Sequence, residues 1–506
     1  MTDRAADRVA DLIADLLPKG LQSYVGGAWM AGRGATVTLA DPATGRPLLT
    51  YADGGAEAAD AALDAAGRGF AAWQSLTASA RGRIVWAIGQ EVRREAQRLA
   101  EIEAITAGKP IRDTRAEVGR VAEMFEYYAG WCDKLTGEVI PVPTTHVNYT
   151  TREPYGAVVQ ITPWNAPIFT AGWQIAPAIA AGNAVVLKPS ELTPVTSLAL
   201  GALATRAGAP EGLVNVLAGI GTTAGARAVS HPATRLVVFV GSRETGAHIA
   251  EAAARNVVPT LLELGGKSAN IVFADADLDR AILGAQAAIF SGAGQSCVAG
   301  SRLVVERKIH AEFVERLARA AARIPVGRPL DEATQIGPIN NVRQFERISR
   351  MVGVGAAAGA EVMTGGGPPA DLAGSGGYFY APTILDRVTP DMEIAREEVF
   401  GPVLSVLAFD SEDEAVRLAN ATTYGLAGAV WTRDGARGHR IAKAVRAGTF
   451  WINGYKTISV MSPFGGFGHS GYGRSSGLEA LMAYTTTKSV WVETAAAPPA
   501  LFGYAG

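Results

Sequence analysis

Cysteine is nearly absent: the 506 residues contain two, Cys132 and Cys297. Two thiols so far apart form neither a disulfide framework nor a cysteine-rich zinc site, and they suit a reducing, cytoplasmic compartment. Histidine is scarce and scattered, six residues with no H-E-x-x-H or H-x-H spacing, so no catalytic metal is expected. Neither sign of charge dominates. The 46 basic and 48 acidic residues leave a net charge of -2, which argues against a nucleic-acid partner bound by phosphate neutralisation. The 59 glycines follow no three-residue period, which excludes collagen, and there is no internal repeat or low-complexity tract. A secretory leader is not expected either. Residues 4–17 carry charges inside their apolar stretch and place Val9, Leu12, Ile13 and Leu16 on one face, the pattern of an amphipathic helix. Residues 156–187 lack charge but hold Pro163, Pro167, Pro177, Asn165 and Asn183. So many breakers and amides do not suit lipid, and no membrane partner is expected. The stretch reads as a buried strand–helix–strand unit.

What is present is a chain able to bury a large core, with 48% hydrophobic and 19% charged residues. At roughly 100–200 residues per domain, its length corresponds to about two to four domains. Residues 56–72, 80–107 and 113–135 repeat apolar side chains at spacings of three and four and are predicted helices. Residues 136–153 alternate and contain Pro141 and Pro143, as suits an edge or protruding β-hairpin. From Ala157 onward, short apolar runs at 157–161, 184–187, 214–217, 236–240, 260–264 and 270–273 alternate with helical stretches. That alternation predicts a parallel sheet covered on both faces. A second set at 302–305, 403–409, 427–431 and 449–452, with helices at 310–322 and 412–419, predicts another α/β domain. Residues 365–377 form a Gly/Pro-rich loop, and 484–492 a strand that would pair with the hairpin or with another subunit.

Several short motifs carry chemistry. Cys297 sits in FSGAGQSCVAGSR, where small residues leave a thiol accessible. A thiolate attacks carbonyl carbon once its pKa falls; the alternative is an inert buried cysteine, the reading that suits Cys132 in YYAGWCD. Glu263 ends an apolar run in LLELGGK, at the strand end where α/β sheets bind ligands. Apolar surroundings would raise its pKa toward that of a general base; a solvated acid is the other reading. Asn165, in PWNAP after the first strand, offers an uncharged donor to an oxyanion. Lys188 and Glu191, in LKPSE after the next strand, lie where a nucleotide ribose binds. Either motif alone also fits a structural turn. The stretch AGIGTTAG at 218–225 imitates a dinucleotide fingerprint, but its spacing is one residue too long, so Gly221 and Gly225 carry little weight.

PWNAP, KPSE, GSRETG (241–246), LELGGK, GQSC, EEVFGP (397–402) and PFGGFGHSG (463–471) occur in one order along the chain. From about Tyr24 to Val492, the sequence resembles the NAD(P)-dependent aldehyde dehydrogenases. The resemblance implies that Cys297 attacks the aldehyde and that Asn165 and the Cys297 N–H hold the resulting oxyanion. Hydride then leaves for nicotinamide, and Glu263 activates the water that hydrolyses the thioester. It implies Lys188 and Glu191 on the adenosine ribose with Ser190 beside them, and Ser242 by the pyrophosphate at a helix N-terminus. Glu398 would hold the nicotinamide ribose beside Phe400, with Trp164 nearby. Ile161, Thr162, Pro163, Val240, Gly241 and Leu264 would complete the cofactor groove, with Val240 standing where the family usually has threonine.

The substrate tunnel implied by the resemblance is lined by Ala166, Thr170, Trp173, Ser296, Val298, Tyr455 and Phe464. That mostly apolar set suits an aromatic or medium-chain aldehyde, and Ala166, where relatives often carry an aromatic ring, widens it. Lys456 near the mouth would attract a semialdehyde carboxylate, or is a solvated surface lysine. Glu191 favours NAD over NADP by repelling a 2′-phosphate, an effect Lys188 softens. Glu263 implies water, not coenzyme A, as acyl acceptor. The expected fold is α/β. It comprises a Rossmann-like NAD-binding domain (1–135 and 154–264), an α/β catalytic domain (265–465) and a small β oligomerisation extension (136–153 and 480–500). The expected assembly is a homodimer or homotetramer. Two other readings are a thiol esterase without redox chemistry and a non-catalytic structural homologue. The intact Asn165, Glu263 and Cys297, none needed merely to fold, speak against the second.

Overall fold

The computed structural model describes residues 4–497, so residues 498–500 of the expected β-extension lie outside the described part. The charge-free stretch folds as a buried crossover: strand Ala157–Thr162, helix Pro167–Ala180, strand Ala184–Pro189. Every helical side chain there except Phe169 is buried. Pro167 opens the helix, where a missing N–H leaves no bond unmade. Asn183 accounts for its own amide: Oδ1 accepts the Gly156 N–H at 3.0 Å, and Nδ2 donates to the Ala178 and Tyr484 carbonyls at 3.1 and 2.9 Å. Buried amides are tolerated because they are paired.

This crossover starts the first sheet. Its parallel strands run in the order Thr260–Glu263, Thr234–Val240, Ala157–Thr162, Ala184–Pro189, Val214–Val216. The chain builds outward from Ala157–Thr162 in one direction, then returns to its other side. The reversal between Ala157–Thr162 and Thr234–Val240 opens a crevice at the C-terminal strand ends. The hairpin Ser23–Val25/Ala28–Met30 and the short strand Gly471–Tyr472 extend the two edges antiparallel. A second sheet runs Glu361–Thr364, Thr383–Asp386, Val403–Phe409, Arg302–Glu306, Ala269–Val272, Ala427–Trp431, Thr449–Ile452, parallel except for its first strand. Each large sheet has its own buried apolar cluster.

Several expectations need correction. The single helix predicted over 80–107 is two, Ala78–Arg94 and Ala96–Ala107, bent at Glu95 (φ −94°, ψ 8°). The bend lets the second helix pack against both Ile111–Ala129 and Val195–Arg206. The helix predicted over 113–135 runs Ile111–Ala129, because the chain turns at Gly130. The N-terminal helix stops at Ile13, with turns beyond it. In the hairpin at 136–153, Val139–Ile140 is an edge strand, while the long strand His146–Pro154 is covered on its other side by the tail strand Thr485–Glu493. The tail pairs along its whole length, from Thr485 opposite Pro154 to Glu493 opposite His146. Among the described residues, no helix is long and apolar enough to cross a membrane.

Candidate active site

The segment joining the two large sheets carries the centre. Strand Thr260–Glu263 ends in Glu263, and Gly265 and Gly266 follow before strand Ala269–Val272 begins. A Cβ on Gly265 would overlap Glu398 Oε2, and one on Gly266 would stand 2.6 Å from the Cys297 carbonyl oxygen. At Gly465 a Cβ would lie 2.9 Å from Glu263 Oε1. Three glycines thus admit three functional groups to one place, where any side chain would push one of them out. The Gly266 N–H also donates to Glu398 Oε1 at 3.0 Å.

Cys297 follows a tight turn in which Gly292, Ala293 and Gly294 all take left-handed backbone angles (φ 64°, 55° and 68°). The turn is locked from outside: Gln295 Oε1 accepts the Asn340 N–H at 2.9 Å, and the Gln295 carbonyl accepts from Asn165 Nδ2 at 2.8 Å. Asn165 therefore stands beside the thiol segment, with one amide N–H used and the second available. The thiol is half-buried and packs, as do Trp451, Ile458 and Phe464, against Val298, Leu426 and Ala427. Burial, then the carboxylates Glu398 and Glu263, push it up to about 12, while the Val298 N–H pulls the other way. Glu263 is buried with neither carboxylate oxygen hydrogen-bonded, and burial raises it to about 8 against the opposing pull of Ser475 and Arg474. Cys132 is deep in the first core, and burial raises it to about 11, an inert thiol.

The residues expected around the cofactor line the C-terminal strand ends of the first sheet. Ile161 pairs with Lys188 and Thr162 with Pro189, while Val240 pairs with Glu263. Thr162 Oγ1 is buried without a partner, and Pro163 turns the chain out of the strand. The buried Lys188 Nζ donates to Glu191 Oε2 at 2.9 Å. Against the penalty of burial, Lys188 holds the Glu191 carboxyl below its ordinary range. Ser190 Oγ accepts the Leu192 N–H at 3.3 Å and shapes that turn. Gly221 and Gly225, doubtful on spacing, belong to one wide π-type turn against the Lys188 side chain, 3.8 and 3.7 Å from where their Cβ atoms would be. Asp53 anchors that turn by accepting from Ile220 N and Thr223 Oγ1 at 2.9 and 2.6 Å. The Gly241 N–H donates to the Glu263 carbonyl at 3.0 Å. Ser242 caps the helix Arg243–Ala254, accepting the Thr245 N–H at 3.3 Å, and Leu264 fills the space left by Gly246. Trp164 and Phe400 meet edge to face with centroids 5.4 Å apart, Phe400 in a left-handed conformation (φ 57°).

The residues expected around the substrate also gather. Trp173 meets Phe464 edge-on at 5.8 Å and lies 5.1 Å from Phe169. Thr170 and Trp173 are buried on the same helix, with Ala166 just before its start. Tyr455 is buried against Trp451 at 4.7 Å, and its hydroxyl donates to the Val298 carbonyl at 3.0 Å. Ser296 and Val298 flank the thiol in sequence. Lys456 is no solvated surface lysine: it is half-buried and Nζ donates to the Ser291 carbonyl at 3.3 Å. Sequence reasoning missed Phe169, Trp451, Ile458, Ser475, Asp53 and Lys267. Trp173 Nε1 donates to Ser475 Oγ at 3.0 Å. Lys267 Nζ is buried without a hydrogen-bond partner, and burial brings it down to about 7. The lysine of LELGGK was there to be noticed; Ser475 carries no local signal. Among the described residues, no group of three or more His, Cys, Asp or Glu is placed to hold a metal ion.

A thiol with a carboxyl and an amide beside it, next to the reversal point of a doubly wound sheet, defines an α/β enzyme class that works through covalent catalysis. The chain belongs to the aldehyde dehydrogenase family, whose model matches residues 29–490. It is 42% identical to the betaine aldehyde dehydrogenase of Bacillus subtilis over 93% of this chain and 97% of that protein. Among solved structures, PnpE from Pseudomonas sp. WBC-3 superposes with a TM-score of 0.93 at 41% identity, covering 96% of this chain and 99% of that one. The betaine aldehyde dehydrogenase of Staphylococcus aureus in complex with NAD+ gives 0.94 at 36% identity, covering 99% of each chain.

Proposed function

We propose that the protein oxidises an aldehyde to the carboxylic acid with NAD as oxidant and water as acyl acceptor. The observation that carries this is the packing at Gly265, Gly266 and Gly465, which brings Glu398, the Cys297 segment and Glu263 to one place. The first sheet and its helices serve as the cofactor domain (1–135 and 154–264), residues 265–465 as the catalytic domain, and the three-stranded sheet as an oligomerisation surface. NAD fits the crevice. The buried Thr162 hydroxyl lacks a partner, the helix Arg243–Ala254 opens toward an anion, and the glycine turn packs on the buried Lys188, which holds the partly exposed Glu191 for a ribose. Glu191 disfavours a 2′-phosphate, which makes NADP the poorer partner. Bound there, NAD supplies the hydride acceptor.

The chain's own residues do the rest. The Cys297 thiol gives its proton to solvent, and the sulfur bonds to the aldehyde carbon. The free Asn165 N–H and the Cys297 N–H hold the oxyanion. Loss of hydride from the same carbon leaves a thioester on Cys297. Glu263, its proton passed to solvent, then takes a proton from water as the water oxygen attacks the thioester. The C–S bond breaks, the acid leaves, and the thiol is regenerated. Trp173, Phe464 and Phe169, with the small Ala166, favour aromatic or medium-chain aldehydes and leave room for semialdehydes.

Initial rates of NADH formation across an aldehyde series test this reading. Activity with NAD, weaker activity with NADP, independence from coenzyme A and complete loss in Cys297→Ser are expected. Ester hydrolysis without NADH formation from any aldehyde would overturn it in favour of the esterase reading. We place the enzyme in the cytoplasm, as its two unpaired thiols suit a reducing compartment.

A further inference from the structure

We propose that the Lys456 ammonium is an anion subsite of the aldehyde channel, so that aldehydes carrying a carboxylate at their far end are the preferred substrates. The proposal rests on the aldehyde-oxidising reading above and narrows its substrate class.

Backbone geometry gives the first argument. Lys456 lies in the left-handed region (φ 60°), as does Asn453 (φ 53°). A long, unbranched cationic residue rarely sits there, and such conformations persist only where the surroundings impose them, most often at functional sites. The surroundings do impose it. Asn453 Oδ1 accepts the Thr432 N–H at 3.0 Å, and its Nδ2 donates to the Thr432 carbonyl at 2.9 Å. Two residues on, Tyr455 is stacked on Trp451 and tied through its hydroxyl to Val298, the neighbour of the thiol. Both anchors lie just before Lys456, and Trp451 Nε1 donates to the Thr457 carbonyl at 3.0 Å just after it, so the loop is fastened on both sides; the side chain it carries points to the Ser291 end of the cysteine loop.

The second argument is the state of the ammonium. It has three donors, and the single hydrogen bond it makes is the long one to the Ser291 carbonyl at 3.3 Å. Among the described residues, no carboxylate lies within 4.0 Å of it. Burial, the largest influence, brings it down to about 8, and Cys297, Asp113 and Lys109 act on it less. Two of these are committed elsewhere: Lys109 Nζ is held by both Glu117 oxygens at 2.5 and 2.6 Å, and Asp113 accepts from Arg112 at 3.0 Å. A half-buried ammonium that feels the thiol, beside a channel of aromatic walls, is a cation kept without its anion. A substrate carboxylate supplies one, and the low dielectric of those walls strengthens the pair.

The test compares kcat/KM for 4-oxobutanoate, 5-oxopentanoate and 6-oxohexanoate with that for neutral straight-chain aldehydes of equal length. The wild-type enzyme is expected to prefer the acidic member of at least one pair. In Lys456→Gln and Lys456→Met the ratio of acidic to neutral kcat/KM falls by about ten- to a hundredfold, the worth of one charged hydrogen bond, chiefly through KM. Lys456→Arg keeps most of the ratio. Glutarate is expected to compete with a neutral aldehyde in the wild type and to lose that competition in Lys456→Gln. An equal fall for both aldehyde classes overturns the subsite, since it means Lys456 acts on the thiol instead. A wild type with no acidic preference overturns it as well. If no aldehyde is oxidised, it is the broader reading that fails. Glutarate protection of Cys297 from iodoacetamide still decides the subsite then: protection in the wild type but not in Lys456→Gln supports it, and no difference between them rejects it.

Discussion

Glu263 shows what burial does to one residue. An exposed glutamate is ionised across the neutral range, whereas here the proton leaves only as pH climbs through about 8. Base catalysis by this group therefore rises with pH over that interval, where an ordinary carboxylate would give a flat profile. Steady-state rates measured from pH 6 to 9 are expected to climb through about 8. In Glu263→Gln, rapid mixing should reveal one equivalent of NADH per site, followed by turnover slowed about 10²- to 10⁴-fold, because acylation outlives the loss of the hydrolytic base. A linear time course without a burst would show that Glu263 is needed earlier. Gly265 makes the complementary point. Its missing side chain is the space Glu398 occupies, so Gly265→Ala is expected to weaken NAD binding by about tenfold or more, the loss of one charged hydrogen bond. Titration by quenching of protein fluorescence would measure it. The acid, the thiol and the amide were each legible from residue type and motif. The dependence of Glu398 on Gly265 was not, because the two are neighbours only once the second sheet has folded.

At the scale of elements, the helix Pro167–Ala180 must begin where it does for Asn165 to reach the cysteine loop. Glu103, fully buried on helix Ala96–Ala107, fixes that start: it accepts the Ile168 N–H at 3.2 Å and the Thr196 hydroxyl at 2.6 Å. A carboxylate at a helix N-terminus is favoured by the free N–H groups there. Burial nevertheless raises Glu103 to about 7. Glu103→Leu strands both donors in the core and is expected to cost about 2–4 kcal/mol, read by urea unfolding, with Glu103→Gln retaining part of it. The same variant should lower kcat with a smaller effect on KM, because the amide loses its position. Pattern reasoning saw the helix 96–107 only as the continuation of a longer one. Glu95 suits helical spacing, and the bend there arises from packing on two other helices. The hairpin at Ser23–Met30 and the strands Glu361–Thr364 and Thr383–Asp386 escaped for a different reason. Runs of three or four residues are too short to show a period.

For the whole molecule, alternation of apolar runs and helices was enough to foresee two α/β sheets, since parallel strands buried on both faces leave a strong imprint. The order of strands within each sheet leaves none, and that order creates the crevice. One surface is still without a partner in a single chain. On the three-stranded sheet, Val139, Ile140, Val147, Tyr149, Trp491 and Val492 are all at least 36% exposed. Scattered apolar side chains on a surface mean little, but the register puts Val139, Val147, Tyr149 and Val492 on one face, with Ile140 and Trp491 on the other, and four on one face of a small sheet with open edges form the kind of patch that association covers. We therefore expect this sheet to join copies of the chain, as a homodimer or homotetramer. Val147→Glu combined with Val492→Glu, which are paired across the strands, places charge in the centre of that four-residue face while leaving the backbone ladder from Thr485 to Glu493 intact. Sedimentation velocity should show the variant shifting to a smaller species at micromolar concentration, with the far-ultraviolet dichroism preserved. An unchanged sedimentation coefficient would move the interface elsewhere, for the patch would then be exposed in the assembly too and would need another explanation.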